Sequence, residues 1–140
     1  MKKLQLLIFL LFITCAEQPE EKIQWLNGYW EIERVVAPNG TTKDYTFNET
    51  VDYIYVENNK GFRKKLQPRF NNQFITSEDS EALNIKIEGD SLNLYYKTEL
   101  TNWKETVLKA NEDRLEIVNS EGLVYIYKRY EPINLSIDEE

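Results

Sequence analysis

From Trp25 onward the chain alternates apolar and polar residues in short runs that end at turn residues, and this period of two decides the class of fold. Leu83, Ile85 and Ile87 are followed by Glu88-Gly89-Asp90-Ser91 and then by Leu92, Leu94 and Tyr96. Trp103 to Leu108 leads through Asn111-Glu112-Asp113 into Leu115 and Ile117, and Ser120-Glu121-Gly122 precedes Leu123, Tyr125 and Tyr127. Earlier breaks fall at Pro38-Asn39-Gly40, Asn58-Asn59-Lys60-Gly61 and Asn71-Asn72, where Asn-Gly and Lys-Gly steps are expected to supply the positive φ of tight hairpins. Counted this way, the chain holds eight to ten strands at spacings near ten residues. The predicted class is all-β, an antiparallel up-and-down barrel of eight to ten strands, with a two-sheet sandwich as the alternative. Closure into a barrel removes the exposed strand edges through which sheets aggregate. Only Ile23 to Asn27 is placed for a helical turn, and no repeat or second domain is visible.

The first residues follow a different rule. Met1-Lys2-Lys3 is basic, Leu6 to Ile13 is uninterruptedly apolar, and Thr14-Cys15-Ala16 opens an acidic run from Glu17 to Glu21. A basic start, a short apolar core and small residues at its exit predict a signal peptide over residues 1–14. The apolar run is far shorter than the ~20 residues that span a bilayer as a helix. The exit resembles a bacterial lipoprotein signal, in which Cys15 becomes the first mature residue and is acylated, with Ile13 matching the pattern. Cleavage after Ala16 by ordinary signal peptidase is the competing expectation. Acylation implies membrane contact through the acyl chains, and Ala16 after the Cys implies transit to the outer membrane, on its periplasmic or surface face. The remaining organisation reads as an acidic linker over 15–24, the barrel over 25–131 and a tail over 132–140.

Composition excludes several chemistries. The chain has no His and one Cys, at position 15, which removes Ser–His and Cys–His nucleophiles, imidazole acid–base catalysis and His-ligated metals. No cofactor, metal or catalytic residue is assigned, and the expected role is non-enzymatic. Loss of residues 1–14 takes away Lys2 and Lys3 but no acid, moving the net charge from −7 to −9. Such a surface repels phosphate backbones, so nucleic acid is not an expected partner.

Gly28-Tyr29-Trp30 opens the first strand of the alternating region and Tyr127-Lys128-Arg129 closes the last. This pairing resembles the lipocalin and lipocalin-like families, in which a Gly-x-Trp on the first strand lies across the barrel bottom from a basic residue on the final strand. The resemblance implies that Gly28, Trp30 and Arg129 form a structural motif, with the guanidinium over the indole. It also implies a barrel able to take a small apolar or amphipathic ligand.

The candidate ligand residues are aromatic and basic. Tyr53, Tyr55, Tyr95, Tyr96, Tyr125 and Tyr127 either line a cavity with stacking surfaces and hydroxyls or form cross-strand aromatic pairs. Residues 63–69 carry four positive charges in seven residues. Arg63 and Lys65 within them either hold an anionic ligand or partner, or belong to a solvated strand. Asp52, Glu78, Asp79, Glu81, Asp90, Glu112 and Asp113 read as solvated turn acids, and Glu31 and Glu33 as outward-facing carboxylates. A barrel of this size either fills with side chains or holds one small ligand. Two functions follow: a lipid-anchored barrel that binds a small molecule, or a filled interaction module that docks a partner protein through its loops or the strand 63–69.

Overall fold

The computed structural model describes residues 17–76 and 79–132. The expected signal peptide, the lipidation site Cys15, Glu78 and nearly all of the expected tail lie outside the described residues. Ten strands follow one short helix, α1 (Pro19–Ile23): β1 (Gly28–Val36), β2 (Thr42–Asp44), β3 (Val51–Glu57), β4 (Lys60–Pro68), β5 (Phe74–Thr76), β6 (Glu81–Glu88), β7 (Ser91–Lys97), β8 (Asn102–Ala110), β9 (Arg114–Asn119) and β10 (Val124–Arg129). Eight of them close an antiparallel barrel in the order β1-β3-β4-β6-β7-β8-β9-β10, while β2 adds to β1 and β5 to β4. The closing contact pairs Trp30 with Arg129, Ile32 with Tyr127 and Val36 with Val124, after a register shift between Ile32 and Arg34. First and last strands that pair directly exclude the two-sheet sandwich.

The hairpin between β3 and β4 shows which turn residues act. Asn58 and Asn59, at φ 51° and 62°, make the two-residue turn, because the short polar Asn side chain tolerates the left-handed region. Gly61 is required for another reason: a Cβ there would sit 1.7 Å from the Tyr55 carbonyl oxygen.

The helical turn begins four residues earlier than expected. Pro19 occupies the start of α1, where its fixed φ suits a helix and its missing N–H costs no bond. Glu20 and Glu21 in the first turn and Lys22 in the last complement the helix dipole. Turns through Trp25 N–H to the Lys22 carbonyl (3.1 Å) and Leu26 N–H to the Ile23 carbonyl (3.2 Å) carry the chain on to β1. The helix packs against β7 and β8, Pro19 is buried, and Lys22 Nζ donates to the Leu108 carbonyl at 3.1 Å. Residues 19–24 are therefore part of the barrel domain rather than of an acidic spacer, because Ile23 and Trp25 have apolar surface to bury on the core.

Inward-facing residues sort into two levels along the barrel axis. Leu26, Trp30, Ile54, Leu83, Leu92, Leu94, Leu115 and Ile117, each at most 1% exposed, fill the end where Gly28 enters. Toward the other end stand Asp52, Arg63, Glu81, Tyr96, Glu105 and Tyr127, from β3, β4, β6, β7, β8 and β10. The barrel is thus closed and dry at one end, and polar at the other.

Candidate functional site

At the closed end the first and last strands meet over one indole. Trp30 Nε1–H donates to the Leu26 carbonyl at 2.9 Å, and the Arg129 guanidinium lies 3.6 Å from the ring centroid. Arg129 donates to the carbonyls of Asn27 (2.8 Å), Trp25 (3.1 Å) and Glu112 (2.9 Å). Gly28, at φ 124°, has no room for a side chain, since a Cβ would stand 2.6 Å from Arg129 Nη1. Partial burial, opposed by the charges of Asp113 and Glu112, holds the Arg129 pKa below the usual guanidinium value. This constellation seals the barrel and leaves no space for a ligand.

The open end is built around Arg63. Its side chain is only 11% exposed, and both terminal nitrogens are engaged. Nη2 donates to Asp52 Oδ2 at 2.8 Å and to the Tyr127 hydroxyl at 2.6 Å, while Nη1 donates to the Tyr96 hydroxyl at 3.2 Å and to Glu105 Oε2 at 3.3 Å. Lys65 Nζ donates to the other Asp52 oxygen at 3.0 Å. Above this layer lies a cavity of about 960 Å³, walled by Asp52, Arg63, Glu81, Trp103, Glu105 and Tyr125 and bounded at its mouth by residues 79–80 and 98–100. Trp103 stacks on Tyr96, with centroids 5.0 Å apart and planes at 13°.

The electrostatics follow from this packing. Burial pushes the Asp52 carboxyl up, but the charges and hydrogen bonds of Arg63 and Lys65 outweigh it and hold the pKa below the usual value. Burial opposes the Arg63 charge, and Tyr127, Tyr96, Asp52 and Glu105 together overcome it, so the guanidinium stays protonated. Burial likewise raises Tyr96 and pushes Tyr127 up to about 12, leaving both as neutral phenols. Glu81 differs: burial raises its carboxyl, and Asp52 and Glu105 add to the rise that Arg63 and Lys65 only partly offset. No metal-binding group of three or more His, Cys, Asp or Glu occurs among the described residues.

Of the aromatic and basic candidates, Tyr96, Tyr125, Tyr127, Arg63 and Lys65 come together at this end. Tyr53 and Tyr55 do not. Both lie on the outer face of β3, where Tyr53 stacks on Tyr29 at 4.8 Å and the Tyr55 hydroxyl donates to Glu57 at 3.1 Å. Tyr95 also points outward and bonds Glu88. The segment 63–69 is not one solvated basic face: alternation turns Arg63 inward, while Lys64 lies outside over the Phe62 ring at 5.1 Å. Asp52 is not a solvated turn acid either, with 7% of its side chain exposed. Glu105 and Trp103 are the site residues that sequence reading passed over, and Asp52 and Glu81 are the two it assigned to solvated turns, although both stand on strands. The signal for three of them was phase: each acid stands two residues before an inward apolar one, Ile54, Leu83 and Val107.

A model of the lipocalin-like domain family matches residues 26–117, well over half of the chain. The chain belongs to the lipocalin-like domain family. The match ends before β10, the strand that closes this lipocalin-like barrel onto β1. A search of curated proteins finds no match. Among solved structures, a lipocalin-like protein from Bacteroides uniformis ATCC 8492 aligns at 11% identity and a TM-score of 0.48, covering 75% of this chain and 98% of that one. An uncharacterized protein from Bacteroides eggerthii DSM 20697 aligns at 9% identity and 0.48, covering 75% and 99%.

Proposed function

We propose that this lipocalin-like barrel is a non-enzymatic, lipid-anchored protein of the bacterial outer membrane that takes a small amphipathic molecule into its open half. The observation that carries the reading is the cavity of about 960 Å³ above the bonded network on Arg63. Its volume suits a small molecule, and its wall joins aromatic surface from Trp103 and Tyr125 to polar groups fixed by one another. An amphipathic occupant matches that wall better than a purely apolar one, because the apolar interior is already filled with side chains. Acylation of Cys15 supplies the membrane contact in this reading. Pro19 follows Cys15 by four residues, a reach of at most about 14 Å. The anchor therefore holds the barrel close to the bilayer.

Nile red, a neutral fluorescent amphiphile, tests the cavity. The full chain is expected to bind it saturably, and Ser80→Trp at the cavity mouth is expected to abolish that binding. Equal binding by both proteins would overturn the reading. For the anchor, Cys15→Ala is expected to move the protein from membrane fractions to the soluble fraction; retention on membranes after a high-salt wash defeats it.

One observation favours the docking alternative. Phe47, Phe70 and Leu100, 81%, 81% and 96% exposed, all stand on loops, Leu100 at the cavity mouth. Replacing Phe47 and Phe70 with Ser would then remove an envelope partner in cross-linking while Nile red binding persists. Within the strand 63–69, Arg63 is spent inside the barrel, so that surface would rest on Lys64, Lys65 and Arg69.

A further inference from the structure

The basic groups around the open cavity are already committed. Among the described residues, five carboxylates and three basic side chains line it. Of the three bases, Lys64 lies over the outer Phe62 ring, and the other two are already held: Arg63 by Asp52 and Glu105, Lys65 by Asp52. Each terminal nitrogen of Arg63 already donates to one carboxylate and one phenol, so the guanidinium has little left to offer a bound anion. An incoming carboxylate or phosphate would also approach Asp52 and Glu105 across a short, poorly solvated gap.

Glu81 is in the opposite position. It faces Arg63 across the β4–β6 ladder and stands in phase with the inward Leu83. The guanidinium it faces is spent on Asp52 and Glu105, and among the described residues no hydrogen bond or ion pair engages the Glu81 carboxylate. Along the same wall, on the next two strands, Tyr96 carries the stacked Trp103, and Tyr125 on β10 adds aromatic surface. A carboxylate in want of a counter-charge, beside stacked aromatic surface, is complementary to a protonated nitrogen on an apolar body.

Building on the small-molecule reading above, we infer that the occupant of this cavity is a cationic amphiphile, with an ammonium or amidinium group against Glu81 and an aromatic or apolar body against Trp103 and Tyr125. The network on Arg63 acts as a selectivity floor. It is neutralised from within, so it neither attracts anions nor repels a cation held at Glu81.

The test uses three probes of one shape on the full chain at neutral pH: 2-(2-naphthyl)ethylamine, 2-(2-naphthyl)ethanol and 3-(2-naphthyl)propanoate, titrated by calorimetry. The amine is expected to bind at least tenfold more tightly than the alcohol, and the propanoate more weakly than either. Glu81→Gln is expected to bring the amine down to the level of the alcohol, and Glu33→Gln, on the outer face of β1, to leave it unchanged. Thermal unfolding of Glu81→Gln verifies that the fold persists. A propanoate that binds as tightly as the amine, or a tenfold amine preference that survives Glu81→Gln, overturns the inference. If the alcohol and Nile red bind but the amine has no advantage, the charge inference falls and the cavity reading stands. If none of the probes binds, both fall together.

Discussion

Both ends of the barrel hold an arginine, and they are held in opposite ways. Arg129, at the closed end, is gripped by three backbone carbonyls and the Trp30 indole, with no ion pair among the described residues. Its pKa is lowered by burial. Arg63, at the open end, is gripped by two carboxylates and two phenols, and its pKa is raised. Carbonyl acceptors and an aromatic face satisfy a cation without adding a second charge, which suits a seal. Carboxylates bring charges of their own, so Arg63 organises a network that is stable only while every member is present. The difference teaches where the barrel is plugged and where it opens onto a cavity.

The comparison is broken most severely at the seal. Trp30→Ala is expected to cost toward the upper end of about 3–5 kcal/mol, because it leaves a large cavity and removes the stack beneath Arg129. Chemical denaturation measures the loss directly. At the other end, Arg63→Met should cost about 3 kcal/mol by leaving the buried Glu105 unpaired and Asp52 with only the exposed Lys65. Adding Asp52→Asn and Glu105→Gln to that variant should recover most of the loss, and a triple variant no more stable than Arg63→Met would refute the network account. A double-mutant cycle on Trp30→Ala and Arg129→Ala is expected to give about 1 kcal/mol of coupling, since both changes break one stack. Strict additivity would mean the stack contributes nothing.

Acid titration separates two carboxyls of the open end by sign. The folded pKa of Asp52 lies below its ordinary value, so its contribution is complete above the ordinary carboxylate range and is lost as pH falls through the folded pKa. The stability gap between the native chain and Asp52→Asn should therefore narrow below about pH 4. Glu81 runs the other way: its folded pKa is raised, so ionisation costs stability as pH rises through it. Glu81→Gln should stabilise the ligand-free protein at neutral pH by less than about 1 kcal/mol, because water screens a half-exposed group, and the gain should vanish in acid. A melting temperature that falls at neutral pH would show that the ionised carboxylate has a stabilising partner.

Strand count, hairpin positions and the class of fold were legible along the chain because alternation is a local property, written every two residues between Trp25 and Arg129. Gly28, Trp30 and Arg129 were legible through resemblance: a Gly-x-Trp and a terminal Arg at the two ends of that alternation match the lipocalin-like pattern. The open end was much less so. Whether Tyr53 or Tyr96 faces inward depends on strand phase relative to the barrel axis, and the same run of alternating residues admits either parity. Nothing local distinguishes Asp52 from an ordinary turn acid until β4 lays Arg63 and Lys65 beside it. Period and turn chemistry determined by themselves that this chain forms antiparallel strands, because each strand's apolar face needs the others to cover it, while the β1–β10 pairing decided that they close into a barrel. Only the tertiary structure decided which charges share its interior, because pairing between residues 33 and 64 positions apart, such as Arg63 with Tyr96 and with Tyr127, arises from register and closure and leaves no mark in any single segment.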